Sequence, residues 1–270
     1  MDDLWATVEA LADDDQSGAS EIAKRAADAL PKIPGEELPD AIETLLRGHP
    51  EMGPLWRLAS DVLDAPDPAA GAQAFLARLA SDSNVVPVLA PIVPDRIITI
   101  SYSSTVRDIV KMREPREVRC MSSDPGGEGM EMVGVLSAYT EATVIADDEA
   151  IEQCPADAVV VGADAVTPGG LLDKVKTREI AESARDHGIP CFAVAGETKF
   201  VPAELPFGEP FQSVGLRLFS GIATPMGLLM PSEAIDYAAS VRLHPALRMF
   251  IERFDDESIE ENAGVEKGAS

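Results

Sequence analysis

Apolar positions in the first third of the chain recur every three to four residues. Leu4, Val8 and Leu11 share one helical face. From Ala19 to Leu30, Ile22, Ala26, Ala29 and Leu30 oppose Glu21, Lys24, Arg25 and Asp28, an amphipathic helix. Pro31-Lys32-Ile33-Pro34-Gly35 stops it. Further helices are predicted over Leu38 to Arg47, Leu55 to Leu63 and Gly71 to Leu79. Near residue 84 the pattern changes. Val85 to Leu89 is apolar but carries Pro87, so it reads as a connection or at most an edge strand. Short apolar runs follow at Arg96 to Ile100, Glu117 to Met121, Ala142 to Ala146, Ala158 to Val161 and Pro190 to Ala195. Helical stretches at Val106 to Met112, Met130 to Tyr139 and Leu171 to His187 separate them. Short buried strands alternating with helices imply βαβ units and a parallel sheet covered on both faces. Leu216 to Ile222 and a turn at Thr224-Pro225-Met226-Gly227 follow, with closing helices at Ala234 to Arg242 and Ala246 to Phe254. The pattern predicts a small helical domain over residues 1–83, a Rossmann-like α/β domain over 84–254 and a disordered acidic tail over 255–270.

Charge changes this picture more than composition does. Forty-seven acids against 22 bases leave a formal net charge of −25. No basic stripe exists to neutralise phosphates, which argues against DNA as a partner. The acids are dispersed, as in proteins that stay soluble in strong salt, so a halophilic source is expected; an acidic docking surface for a basic partner is the competing explanation. No apolar run approaches the roughly 20 residues that cross a bilayer, and the acidic Met1-Asp2-Asp3-Leu4-Trp5 lacks the basic start of a secretory signal. A cytoplasmic location is expected. Cys120, Cys154 and Cys191 are far apart and read as small buried hydrophobes.

Open α/β sheets bind ligands beyond the carboxyl ends of their strands. Two such ends stand out: Val159-Val160-Val161 running into Gly162-Ala163-Asp164, and Ile98-Thr99-Ile100 running into Ser101-Tyr102-Ser103-Ser104. Asp164 ends a wholly apolar strand, where desolvation raises a carboxyl toward acid/base use. Thr167-Pro168-Gly169-Gly170 is expected to open a helix carrying Lys174 and Lys176, a geometry that presents N–H groups to a phosphorylated ligand. The plainer alternative is a strand-to-helix turn in which Asp164 caps nearby N–H groups. His49, His187 and His244 show no metal-ligand spacing, so no metal is expected. Gly126-Gly127-Glu128-Gly129 lacks the full dinucleotide fingerprint, and no cofactor is expected. Ser103 and Ser104 have no evident His–Asp partners for a hydrolase triad.

The stretch Ala158 to Val166, with Gly170, Lys174, Thr177, Ile180-Ala181, Gly188 to Val194 and Lys199-Phe200, resembles the alpha, beta and delta regulatory subunits of translation initiation factor 2B. Methylthioribose-1-phosphate isomerase and ribose-1,5-bisphosphate isomerase are enzymes of the same family. Thr143 to Asp147, Pro125, Gly129, and Thr224, Gly227 and Pro231 extend the likeness over about residues 15–235. The resemblance implies a NagB/RpiA/CoA-transferase-like Rossmann domain behind a helical domain, and a homodimer or larger homo-oligomer. It places Asp164 as the acid/base of an isomerase, with Gly162, Gly169, Gly170, Lys174, Tyr102 and Gly129 around a sugar phosphate or nucleotide. The departures point the other way. Tyr102 stands where the isomerases carry a catalytic cysteine, and Ser122-Ser123-Asp124-Pro125 where they carry Glu-Ser-Arg-Pro. Ser17-Gly18-Ala19 replaces Arg-Gly-Ala, Gly169-Gly170 replaces Asn-Gly, and Asp173-Lys174-Val175-Lys176-Thr177 replaces Asn-Lys-Ile-Gly-Thr. An acid in place of a phosphate-gripping guanidinium reverses the sign of that interaction. The resemblance therefore implies a non-catalytic regulator acting by protein contacts, with an initiation factor 2 subunit as partner. The rival is a phosphosugar aldose–ketose isomerase.

Overall fold

The computed structural model describes residues 2–124 and 126–254; the expected acidic tail, 255–270, and Pro125 lie outside the described residues. Five helices open the chain: α1 (Asp2–Ala12), α2 (Ala19–Ala29), α3 (Leu38–Gly48), α4 (Gly53–Asp64) and α5 (Pro68–Ser81). Asp67 caps α5, its side chain accepting from the Ala69 N–H at 3.1 Å. The centre of this layer is α4, with Trp56, Leu55 and Leu58 fully buried. Val85 to Leu89 is neither strand nor open connection. It winds into a short helix, α6 (Val86–Leu89), between two 3-10 turns. Pro87 falls in the first turn, where a missing N–H costs nothing and the fixed φ suits a helix.

The second layer runs β1 (Arg96–Thr99), α7 (Ser104–Arg113), β2 (Glu117–Met121), α8 (Glu128–Leu136), β3 (Glu141–Ile145), α9 (Asp147–Gln153), β4 (Ala158–Val161), β5 (Ala165–Val166), β6 (Leu171–Lys174), α10 (Thr177–His187), β7 (Cys191–Val194), β8 (Phe211–Val214), β9 (Gly221–Thr224), β10 (Gly227–Leu229) and α11 (Pro231–Ser240). Residues 245–254 form a last helix, α12. The main sheet has the order β10-β9-β7-β4-β1-β2-β3. All its pairs are parallel except β9 with the edge strand β10. The strand order reverses between β1 and β4, the switch point at which such sheets open a crevice.

One predicted helix is corrected. Leu171 to Lys174 is not the start of a helix but strand β6, paired antiparallel with β5 and β8 in a separate three-stranded sheet. Leu171 and Leu172 are buried in that ladder, and helical periodicity begins only at Thr177, with Ile180, Ala181 and Ala184 inward. The short α9 was absent from the apolar pattern because its first turn is all acid, Asp147, Asp148 and Glu149, which suits a helix N-terminus.

The chain's end returns to its beginning. Leu243, Leu247, Phe250 and Ile251 belong to the apolar cluster of the N-terminal helices, not to that of the sheet. The Phe250 ring lies 5.7 Å from that of Trp56, and the His244 N–H donates to Ser60 Oγ at 2.9 Å. The layers also meet at the loop before α4, where the Gly53 N–H donates to the Asp164 carbonyl at 3.0 Å. Among the described residues no helix is long and apolar enough to cross a membrane.

Candidate functional site

The carboxyl ends of β1 and β4 come together as the topology requires. Gly162 ends β4 against the Ser103 side chain; a Cβ there would sit 2.9 Å from Ser103 Oγ. Ser103 in turn caps α7, accepting from the Val106 N–H at 3.3 Å. Tyr102 is half-buried and packs against an apolar cluster of the sheet. Its hydroxyl accepts from Arg107 Nη1 at 3.2 Å, while Asp108 holds the Arg107 Nε.

The loop after β2 is held from within. Ser101 and Ser123 both adopt positive φ, 58° and 61°, and the Ser101 N–H donates to Ser123 Oγ at 2.7 Å. The Asp147 carboxylate accepts from the Ser123 N–H at 2.9 Å, the Asp124 N–H at 3.2 Å and Ser122 Oγ at 3.1 Å. Gly129 was expected at a ligand. In the structure packing requires it: a Cβ would stand 1.9 Å from the Met121 carbonyl oxygen, so only glycine lets α8 start over the end of β2.

The expected phosphate cradle at Gly169 and Gly170 is a further correction. Thr167-Pro168-Gly169-Gly170 closes the β5–β6 hairpin instead of opening a helix, and its tip lies at the opposite end of the hairpin from Asp164. The Glu204 carboxylate already fills the donors there. It accepts from the Gly169 N–H at 2.7 Å and from Thr167 Oγ1 at 2.9 Å. Gly170 is packed under β8, where a Cβ would meet Ser213 Oγ at 2.6 Å. Lys174 ends β6 rather than standing in a first helical turn. It pairs with Glu128 at 2.7 Å and lies 5.2 Å from the ring centre of Phe211, its cross-strand neighbour. Lys176 precedes α10 with a φ of 78°.

Asp164 is half-buried at the mouth of this hairpin, its N–H donating to the Leu172 carbonyl at 2.8 Å. One step beyond the Ala165–Leu172 pair, the register sets it opposite Asp173. Like charges directly opposed on a ladder repel. Lys199, from the 3-10 turn Glu197–Lys199, donates through Nζ to the Ala163 carbonyl. Burial pushes the Asp164 carboxyl up, against the pull of Lys199 and Lys174. Burial, and then the charge of Asp164, push Asp173 up as well; the Lys174 N–H, the Thr177 hydroxyl and Lys199 oppose. Sequence reasoning missed two members of the cluster. Glu51, 5% exposed in the loop before α4, is pushed up to about 7, chiefly by burial and then by Asp164. Its signal was an acid alone between His49-Pro50 and Met52-Gly53-Pro54, ahead of a fully apolar helix face. The signal for Lys199 was a rare base directly after an apolar strand.

Three carboxyls and two lysines feel one another's charge here. They do not grip a phosphate with spare cations, because Lys174 is paired and Lys199 serves a carbonyl. The cavity between Lys174 and the 122–126 loop, lined by Ser123, Asp124, Gly126, Val175 and Pro210, has a volume of about 10 Å³, room for about one water. All three cysteines are buried away from it. Burial pushes the thiols of Cys154 and Cys191 up and that of Cys120 to about 12, so none offers a thiolate.

A helical layer on a mostly parallel, Rossmann-like sheet is the fold of the solved initiation factor 2B and methylthioribose-1-phosphate isomerase structures that superpose on this chain. The chain belongs to their family by descent: residues 78–210 match the Initiation factor 2 subunit family. It is 30% identical over 212 residues to a translation initiation factor eIF-2B subunit 2-like protein of Pyrococcus horikoshii, covering 68% of this chain and 75% of that one. It is also 30% identical over 239 residues to the ribose 1,5-bisphosphate isomerase of Archaeoglobus fulgidus, covering 77% and 75%. A crystal structure of the Pyrococcus horikoshii translation initiation factor eIF-2B superposes with a TM-score of 0.75 at 25% identity, covering 87% of this chain and 99% of that one.

Proposed function

We propose that this protein is a non-catalytic regulator of the initiation factor 2B type, acting through protein–protein contacts with an initiation factor 2 subunit. It retains a vestigial sugar-phosphate or nucleotide pocket around Asp164 and needs no cofactor. The observation that carries this reading is Tyr102. The position that supplies a thiol in the isomerases supplies a phenol here, with its ring packed and its hydroxyl engaged by Arg107. A phenol is a poor substitute for a thiol that can be tuned to a reactive thiolate. The dispersed charge of −25 fits an archaeal cytoplasm rich in salt. Met226 and Met230, 60% and 55% exposed beside the edge strand β10, fit a surface covered in a homodimer. The isomerase reading keeps one observation in its favour: Asp164, its carboxyl pushed up by burial, stands within the field of Lys199.

The partner is tested by passing separately purified initiation factor 2 subunits over the immobilised protein in multimolar KCl. Retention of one subunit is the expected result. Loss of all retention, at that salt and at low salt alike, contradicts the translation role.

A further inference from the structure

Carboxylates from elsewhere in the chain fill donor positions at the loops around the crevice, and they are not held alike. Asp147 accepts from Ser122 Oγ, the Ser123 N–H and the Asp124 N–H. Asp82, reaching across from the helical layer, accepts from the Glu197 N–H at 2.6 Å, the Thr198 N–H at 3.4 Å and the Thr198 hydroxyl. Both are fastened to the backbone they hold. Glu128 is different. Its Oε1 lies 2.7 Å from Lys174 Nζ, while its Oε2 is buried with no hydrogen-bond partner among the described residues. A buried carboxylate oxygen without a donor is costly, so Glu128 is held in place through Lys174 and little else.

The place it fills is defined by its neighbours. Glu128 is the first residue of α8, yet its side chain folds back over Gly126: a Cβ there would stand 2.6 Å from the carboxyl carbon and from both oxygens. Gly126 does not occupy left-handed backbone, so this contact, not its φ, is what excludes a side chain. On the other side, the β6–β8 ladder and the Phe211 ring, 5.2 Å from Nζ, fix the lysine. Asp124 is exposed nearby but is engaged by Ser122 Oγ at 3.3 Å, and among the described residues no other acid bridges to Lys174. With the carboxylate in place the adjoining cavity, lined by Ser123, Val175 and Pro210, keeps a volume of only about 10 Å³. A carboxylate and one edge of a phosphate present the same pair of oxygens to an ammonium group.

We propose that Glu128 is a built-in plug: its carboxylate takes the place on Lys174 that an oxyanion would take, so the crevice refuses phosphorylated solutes until Glu128 is moved aside. The proposal rests on the reading that a pocket survives around Asp164, and it specifies what that pocket excludes. Exclusion works by place, because the position on Nζ is filled, and by charge, because the carboxylate neutralises the lysine and repels a second anion. The two side chains are 25% and 23% exposed, so the pair adds little to stability; its consequence is selectivity.

The test is titration of the full chain with inorganic phosphate at constant ionic strength, followed by the amide shifts of Ser123, Gly126, Gly127 and Lys174. Glu128→Gln keeps the shape and removes the charge; it is expected to half-saturate at a phosphate concentration about tenfold or more below that of the wild type. Gly126→Ala leaves the charge but sets a methyl group where the carboxylate lies, and is expected to gain about threefold. Adding Lys174→Gln to Glu128→Gln is expected to abolish the gain. Equal titrations of the wild type and both single variants, whether all bind or none does, overturn the plug. So does a gain in Glu128→Gln with none in Gly126→Ala, which marks an effect of charge and not of an occupied place. Retention of an initiation factor 2 subunit is read separately, so failure of the plug leaves the regulatory reading standing.

Discussion

Lys176 occupies left-handed backbone, φ 78°, a conformation that favours glycine. An L-residue there costs roughly 1–2 kcal/mol, partly offset because glycine gives the unfolded chain more freedom. Lys176→Gly is therefore expected to raise the unfolding free energy by about 0.5–1 kcal/mol in a urea titration. Gly129 is the reverse case. Alanine there meets the Met121 carbonyl, and Gly129→Ala should cost about 2–3 kcal/mol while leaving Lys174 untouched. Sequence alone singled out Gly129 without showing its packing, because a glycine forced by packing and one forced by a ligand look the same in a string of letters. Asp164 and Lys174 were legible as chemistry at strand ends. Glu51 was not, because its burial arises only when the loop before α4 docks on the hairpin, over a hundred residues away in the chain.

The elements divide in the same way. The amphipathic helices α1 to α5 and the apolar strands β1, β2, β4 and β7 were readable because each carries its own periodicity. The β5–β6–β8 sheet was not, because Ala165-Val166 and Leu171 to Lys174 are too short to show a period and gain stability only from pairing with Phe211–Val214. That error placed Gly169 and Gly170 at a helix start and so invented an anion site, where the hairpin tip is in fact closed by Glu204. Glu204→Ala removes two charge-assisted hydrogen bonds at that tip, Gly169 remaining exposed to water, and is expected to cost about 1–3 kcal/mol by thermal melting. The return of α12 to the helical layer was equally hidden. Phe250→Ala, at the Trp56 contact, is expected to lose about 3–5 kcal/mol. A cost under 1 kcal/mol in chemical denaturation would show that α12 adds little to the helical core.

The charge of −25 acts on the molecule as a whole. The Debye length shrinks from about 10 Å at 0.1 M salt to about 3 Å at 1 M, which removes most of the repulsion among dispersed surface acids. The melting temperature is expected to rise by roughly 5 °C or more between those salt concentrations; a flat response would favour a dedicated acidic docking face over halophily. The same salt must be present in any assay of function. On the proposed regulatory reading no isomerisation is expected, the Tyr102 hydroxyl being engaged by Arg107 and Lys174 by Glu128. The most direct measurement is product formation from ribose 1,5-bisphosphate and from methylthioribose 1-phosphate, by wild type and Asp164→Asn side by side in multimolar KCl. The predicted result is no turnover above background by either protein; turnover by the wild type that Asp164→Asn abolishes would contradict that reading.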